Sequence, residues 1–223
     1  MTSAPPPFGE LERGAYGAIA VDPAWTFRTW SERGRGRSPK YSTMSIDEIA
    51  TLPVGELATL DCTLFLWATW PTMPAAFRVI EAWGFKYKTC AFVWLKADPD
   101  RCPVKPSMGL GYWTRANTEV CLLATRGTPK RLNADVQQAI ISPRREHSRK
   151  PTEAYRRIER LVAGPHLELF ARTTRPGWTV YGDDRHERSK PADCMSRPDA
   201  VCGANHESAP AVSGIQRKEL SDG

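Results

Sequence analysis

The stretch "AIAVDPAWTFRTW" (residues 18–30) decides how this chain is read. Ala18, Ile19, Ala20 and Val21 form a short continuous apolar run, the pattern of a strand buried on both faces. The run stops on Asp22-Pro23-Ala24-Trp25 and passes into Arg28. Proline ends strands because it has no N–H for the ladder, and aspartate before proline favours a turn. Those facts account for a strand end. They do not account for an acid, a stiff carbonyl and a large aromatic side chain crowded at one place.

Working outward, apolar strands alternate with helices. The first strand covers 17–21. Residues 43–53, "TMSIDEIATLP", predict a short helix in which Ser45 caps and Glu48 closes a capping box. Strands follow at 62–69, 87–96 and 119–125, the last stopped by Gly127, with an edge strand at 136–142. Residues 71–85 read as a helix closing on Gly84, and 97–112 as a loop rich in proline and glycine. Residues 150–164 read as a helix with Pro151 at its start, Gly164 at its end and Ala154, Ile158, Leu161 and Val162 on one face. The last strands are 166–172 and 177–182. This order predicts an α/β fold with a largely parallel, doubly wound sheet. Ligands in such folds sit beyond the carboxyl ends of the strands, where Asp22 and Arg172 both fall. Residues 1–9 are expected to be a disordered lead, 10–185 one domain, and 186–223 a disordered tail.

The whole chain narrows the function classes. It has 223 residues, 41% hydrophobic, enough for one globular domain with a sizeable core. No apolar run approaches the roughly 20 residues that span a membrane. "MTSAPPPFGE" has neither the basic nor the apolar segment of a secretory signal, so a cytoplasmic protein without membrane contact is expected. Cys62, Cys90, Cys102, Cys121, Cys194 and Cys202 are scattered with no metal-ligand spacing, so they read as thiols in a reducing compartment, and no metal is expected. The net charge is +6. Residues 28–40, "RTWSERGRGRSPK", hold five Arg/Lys and two glycines, and "RGTPKR" (126–131) and "RREHSRK" (144–150) add two more basic clusters. Three clusters near one candidate site suit a phosphate backbone.

An acid, a proline carbonyl and an aromatic ring at a strand end suit one task, methylation of an exocyclic amino group on a base. That nitrogen is a poor nucleophile because its lone pair is delocalised into the ring. Asp22 and the Pro23 carbonyl would accept its two N–H hydrogens and localise the lone pair, and Trp25 would stack on the extruded base.

The chain resembles the adenine methyltransferases related to the seventy-kilodalton subunit of the messenger-RNA adenosine methyltransferase, most of all their bacterial and phage DNA-modifying members. The likeness runs from Tyr16 to Asp184. It rests on "VDPAW", "YSTMSIDEIATLP", "LFLWAT", "VIEAWGF", "VWLK", "GLGYWTRANTEVCLLATRGTPKR", "PRREHSRKPTEAYRRIERL", "LELFAR" and "PGWTVYGDD", in that order. The resemblance implies a Rossmann-like fold that binds S-adenosylmethionine. It implies that Asp22, Pro23 and Trp25 are catalytic, Asp22 also lying against the cofactor. Lys150 would bind the cofactor carboxylate, Glu168, Phe170 and Arg172 its ribose and adenine, and Asp183 and Asp184 the same pocket. The family motif has a second proline where this chain has Ala24. Thr173-Thr174 replaces a His-Asn pair of the messenger-RNA enzymes, and Asp183-Asp184 replaces amides.

The expected reaction is therefore methyl transfer to the N6 amino group of adenine in DNA, by a monomer or homodimer. Arg28, Arg33, Arg35, Arg37, Lys40, Tyr41, Arg115, Arg144 and Arg145 would hold the strand while the base is flipped. The alternatives are the same reaction on RNA and a non-catalytic nucleic-acid-binding subunit; methylation of a small molecule is a weaker third, against which the basic clusters speak.

Overall fold

β1 (Tyr16–Val21) is the pivot of the molecule. The computed structural model describes residues 7–26, 43–98, 105–109, 111, 113–145 and 149–182. Around β1 they form α1 (Ile46–Ala50), α2 (Val54–Leu57), β2 (Ala58–Ala68), a 3-10 turn (Trp70–Thr72), α3 (Met73–Ala82), β3 (Lys86–Asp98), β4 (Lys105–Pro106), β5 (Thr118–Arg126), β6 (Ala139–Ser142), α4 (Thr152–Leu161), β7 (His166–Leu169) and β8 (Trp178–Tyr181). The strands make one sheet in the order β4-β3-β5-β2-β1-β7-β8, with β6 paired to β3.

The sheet is mixed rather than largely parallel. β1 pairs in parallel with β2 and β7, β7 with β8, and β3 with β6. β5 is antiparallel to both β2 and β3, and β4 is antiparallel to β3. A run such as "EVCLLAT" is apolar whichever way its neighbours point, so periodicity carries no direction. The reversal has a consequence for the site. The start of β5 lies on the same edge as the carboxyl ends of β1, β2, β3, β6 and β7.

Alternation along the strands divides the core. Ile19, Val21, Leu64, Leu66, Leu122, Leu167 and Leu169 pack on one face with Ile49 of α1 and Val79 and Ile80 of α3. Ala18, Ala20, Phe65, Trp67, Trp94 and Cys121 pack on the other with Ala154, Tyr155 and Ile158 of α4. Helices thus cover both faces. Ser45 and Glu48 form the expected capping box on α1.

Several elements end differently from expectation, each for a local reason. β2 starts at Ala58 rather than 62, pairing with Tyr16. α3 begins after the 3-10 turn and stops at Ala82, before Gly84 takes a left-handed φ of 77°. β4 lies within the expected loop 97–112. α4 begins only after Pro151, whose extended ψ of 136° keeps Lys150 out of the helix. It ends at Leu161 because Val162 is extended and bridges Arg131. β7 stops at Leu169 because Phe170 adopts a φ of 61°. The expected disordered lead holds a packed residue: Phe8 is 4% exposed and sits edge-on to Tyr181 at 5.1 Å. The expected tail, 186–223, lies outside the described residues.

Candidate active site

Parity along the strands gathers the polar groups. Asp22 continues the series Ala18, Ala20 toward the α4 face, and Glu168 pairs with Ala20 on that face. Glu119 lies two residues from Cys121, and Lys96 two from Trp94, again on the α4 face. Lys150, ahead of α4, drops into this group. Its Nζ sits 2.8 Å from Asp22 Oδ2 and 3.0 Å from Glu119 Oε2, with the Trp67 ring at 5.3 Å. Glu119 also pairs with Lys96. The result is an alternating row, Lys96, Glu119, Lys150, Asp22.

The row sets the charge states. Burial works against a charged Lys150, but the Asp22 and Glu119 carboxylates overcome it and hold the ammonium more basic than usual. Burial pushes Asp22 up from the ordinary aspartate value; Lys150 and, more weakly, Arg172 oppose that shift, and Glu119 adds to it. Burial also acts to raise Glu119, yet Lys150 and Lys96 together outweigh it and leave its carboxyl below the usual value.

Two hollows share Asp22, Lys150 and Arg172 in their walls. One, about 530 Å³, is walled by Pro23, Ala24, Trp25, Trp67, Ala68, Thr69 and Glu119 as well as the shared three. The Pro23 carbonyl accepts from Trp25 N at 2.8 Å, and the Trp25 indole N–H donates to Trp67 O at 3.0 Å. Trp25 was expected to stack on the extruded base. It is only 4% exposed, because its ring joins the core beneath β1 and β2; it walls the hollow rather than offering a bare face.

The other hollow, about 310 Å³, is lined by Arg149, Tyr155, Glu168, Phe170, Thr173 and Arg175 together with the shared three. Tyr155 Oη donates to Glu168 Oε1 at 2.6 Å, and the Arg175 guanidinium lies 3.5 Å over the Tyr155 ring. Glu168 Oε2 and Arg175 Nε are buried without hydrogen-bond partners and stand 3.9 Å apart. Burial pushes the Glu168 carboxyl up, against the pull of Tyr155 and Arg175. A buried carboxylate oxygen and a guanidinium N–H left unsatisfied on one wall are costly unless a ligand completes them. A ligand with vicinal hydroxyls would serve both, donating to the oxygen and accepting from the N–H. Gly182 closes this side: a Cβ there would overlap Ala171 O, so the exit of β8 packs directly on the turn after Phe170.

The structure thus brings Asp22, Pro23, Trp25, Lys150, Glu168, Phe170 and Arg172 to one place. Arg115, exposed with its Nη1 donating to Gly111 O at 3.2 Å, lies just before β5. Arg144 and Arg145 are exposed just after β6, on the same edge. Arg28, Arg33, Arg35, Arg37, Lys40, Tyr41, Asp183 and Asp184 lie outside the described residues. Sequence reasoning missed Glu119, Lys96, Tyr155 and Arg175. Glu119 carried a usable signal, since it is a lone acid near the start of an apolar strand, much as Glu168 is a lone acid within one. Tyr155 and Arg175 had none, because their partner Glu168 comes from a different element.

Comparison with known proteins places the chain in a family. The chain is 32% identical over 196 residues to the Type II methyltransferase M.MunI of Mycoplasma sp, covering 78% of this chain and 80% of that protein. It is 32% identical over 174 residues to an N(6)-adenosine-methyltransferase MT-A70-like protein of Arabidopsis thaliana, covering 76% of this chain and 24% of the relative. It is 28% identical to the human N(6)-adenosine-methyltransferase catalytic subunit METTL3, again over 76% of this chain and only 28% of that protein. The chain therefore spans about a quarter of the length of those plant and human relatives. The MT-A70 family model matches residues 16–184, which include both hollows and the residues between them, and the chain belongs to the MT-A70 family of methyltransferases.

Proposed function

We propose that this protein is an S-adenosylmethionine-dependent methyltransferase acting on the N6 amino group of adenine in DNA, built on a Rossmann-like fold. The observation that carries the reading is the meeting of two unlike hollows at a single carboxylate, Asp22. The cofactor, when bound, supplies an electrophilic methyl group. The residues of the smaller hollow fit it: Glu168 and Arg175 offer the unsatisfied pair that a ribose would complete, and Lys150 and Arg172 offer positive charge for a carboxylate.

The larger hollow takes the base. Lys150 holds Asp22 through Oδ2, so the carboxylate is fixed in place and can accept an N–H of the amino group through its other oxygen. The Pro23 carbonyl already accepts one N–H from Trp25, and its second lone pair is the other acceptor for the substrate. Two acceptors localise the nitrogen lone pair and aim it toward the smaller hollow, a gain of orientation and electrostatics. The nitrogen releases its proton after it has gained the methyl group. That ammonium is strongly acidic, so Asp22 need not keep the proton. Ala24 in place of a second proline leaves the acid, the first carbonyl and the aromatic residue unchanged.

DNA is favoured over RNA because the relative matched over most of both lengths is the compact Type II methyltransferase, and because the sequence most resembles the DNA-modifying branch. Arg115, Arg144 and Arg145 on the carboxyl edge, with the basic segment 28–40, suit a phosphate backbone. Incubating the full chain with labelled S-adenosylmethionine and matched DNA and RNA oligonucleotides tests the reading. Label on the DNA supports it. Label on RNA alone moves the activity to RNA, and cofactor binding without label on either makes the chain a non-catalytic subunit.

A further inference from the structure

We infer that Trp70 is a nucleobase platform whose indole face stacks on a base next to the target adenine, while the target occupies the cleft behind it. This rests on the nucleic-acid reading above. Trp70 follows Thr69, which walls the larger hollow, but Trp70 is not itself part of that wall. Its indole N–H donates to Thr118 Oγ1 at 2.9 Å, and the next residue, Glu119, is again part of the wall. The ring therefore reaches from the end of β2 to the start of β5 along the rim of the cleft, outside it. A group there meets a neighbour of the base inside.

The ring is held rather than loose. Thr69 N donates to Thr72 Oγ1 at 3.0 Å and Thr72 N donates to Thr69 O at 2.9 Å, closing the 3-10 turn around Trp70, while Pro71 fixes its own φ. With the N–H satisfied and the turn closed, 52% of the residue stays open to solvent. A fixed, half-open indole loses little entropy on stacking, and stacking tolerates any base because each has a π-face. Trp25, buried in the core, leaves the cleft without an open ring of its own, so the stacking surface at this site is at its rim. Arg115, exposed on the segment leading into Thr118, puts positive charge near the same strand for the phosphate of the stacked nucleotide.

The test uses the full chain, S-adenosylmethionine and a mixed-sequence DNA 12-mer with a single adenine, plus versions with an abasic site at each nucleotide beside that adenine. Dissociation constants and kcat/KM are measured for the intact protein, Trp70→Ala and Trp70→Phe, with cofactor affinity by calorimetry as the check on folding. On the intact strand Trp70→Ala is expected to weaken binding and lower kcat/KM about tenfold, with cofactor affinity unchanged and Trp70→Phe recovering most of the loss. An abasic site at one flanking position should remove the difference between the intact protein and Trp70→Ala. Equal DNA affinity of the two proteins on the intact strand, or a difference that persists on every abasic strand, overturns the platform whether or not methyl is transferred. Weakened binding by Trp70→Ala without methyl transfer by the intact protein keeps the platform and overturns the reading of the catalytic site.

Discussion

The two hollows that meet at Asp22 are made of different material. Beside the charged residues that the two share, the larger is walled by Pro23, Ala24, Trp25, Trp67, Ala68, Thr69 and Glu119, and its groups are paired: Trp25 N with Pro23 O, the Trp25 indole with Trp67 O, and Glu119 with Lys150 and Lys96. The smaller is walled mostly by polar and charged side chains, and Glu168 Oε2 and Arg175 Nε there, an ion pair 3.9 Å apart, have no hydrogen-bond partner. A wall whose groups are paired, apart from acceptors left at Asp22 and the Pro23 carbonyl, suits a flat guest that brings N–H donors, such as a base. A wall with unsatisfied buried groups suits a guest that brings hydroxyls and charge. In the proposed function this contrast distinguishes the two guests, which would meet at the shared residues Asp22, Lys150 and Arg172.

The largest effect is expected where the hollows join. Lys150→Met removes the buried cation between Asp22 and Glu119 and leaves two half-buried carboxylates, of which only Glu119 keeps a lysine partner, Lys96. Breaking a buried pair in this way costs about 3–5 kcal/mol, which a thermal denaturation midpoint will register as a clear fall. A midpoint unchanged within a degree would mean that Lys150 is an idle surface cation, against its buried position here.

Asp22→Asn leaves Lys150 paired with Glu119 and keeps an acceptor oxygen beside it, so the midpoint should fall less than with Lys150→Met, while single-turnover methyl transfer falls about 100-fold or more. DNA affinity should change far less, because the proposed phosphate contacts are on the basic segments and not at Asp22. The intact protein should also lose turnover as pH falls through the Asp22 pKa. That pKa is raised by burial, so the acid limb should lie above the ordinary aspartate range. The sign follows from the role: a protonated carboxyl donates where an acceptor is needed. Turnover flat through the whole acid range would remove Asp22 from catalysis.

That these residues would converge was partly legible in the chain. Val21-Asp22-Pro23 reads as a strand end from local chemistry alone, and Glu168 stands out as an acid in an apolar strand. The Ser45–Glu48 capping box is equally local and forms as read. The direction of β5 was not legible, since an apolar strand looks the same from either end. That one reversal brings Glu119 to the carboxyl edge and completes the row through Lys150. A tryptophan is usually core, so the burial of Trp25 was within reach, but the group its indole meets, Trp67 O, was not. Local patterns carried the strand ends, and long-range pairing decided what faces them.

Two smaller effects sharpen the contrast further. Glu168→Gln should weaken S-adenosylmethionine about tenfold by calorimetry, the scale of one charge-assisted hydrogen bond, and leave DNA affinity alone. Weakening of DNA instead would exchange the guests of the two hollows. Arg144→Ala with Arg145→Ala should do the reverse, leaving the cofactor alone and reducing the log–log salt slope of DNA binding by about 1.8, for two lost phosphate contacts on B-DNA. An unaltered slope would take the edge beyond β6 off the nucleic-acid path.

Identification of the methylated nucleoside tests the central claim most directly. DNA incubated with the full chain and labelled S-adenosylmethionine is digested to nucleosides and separated. The account predicts label in N6-methyldeoxyadenosine, and none above background when every adenine is replaced by hypoxanthine, which lacks the amino group that Asp22 and the Pro23 carbonyl would hold. Label on cytosine, on a ring nitrogen of adenine, or on the hypoxanthine strand would contradict it.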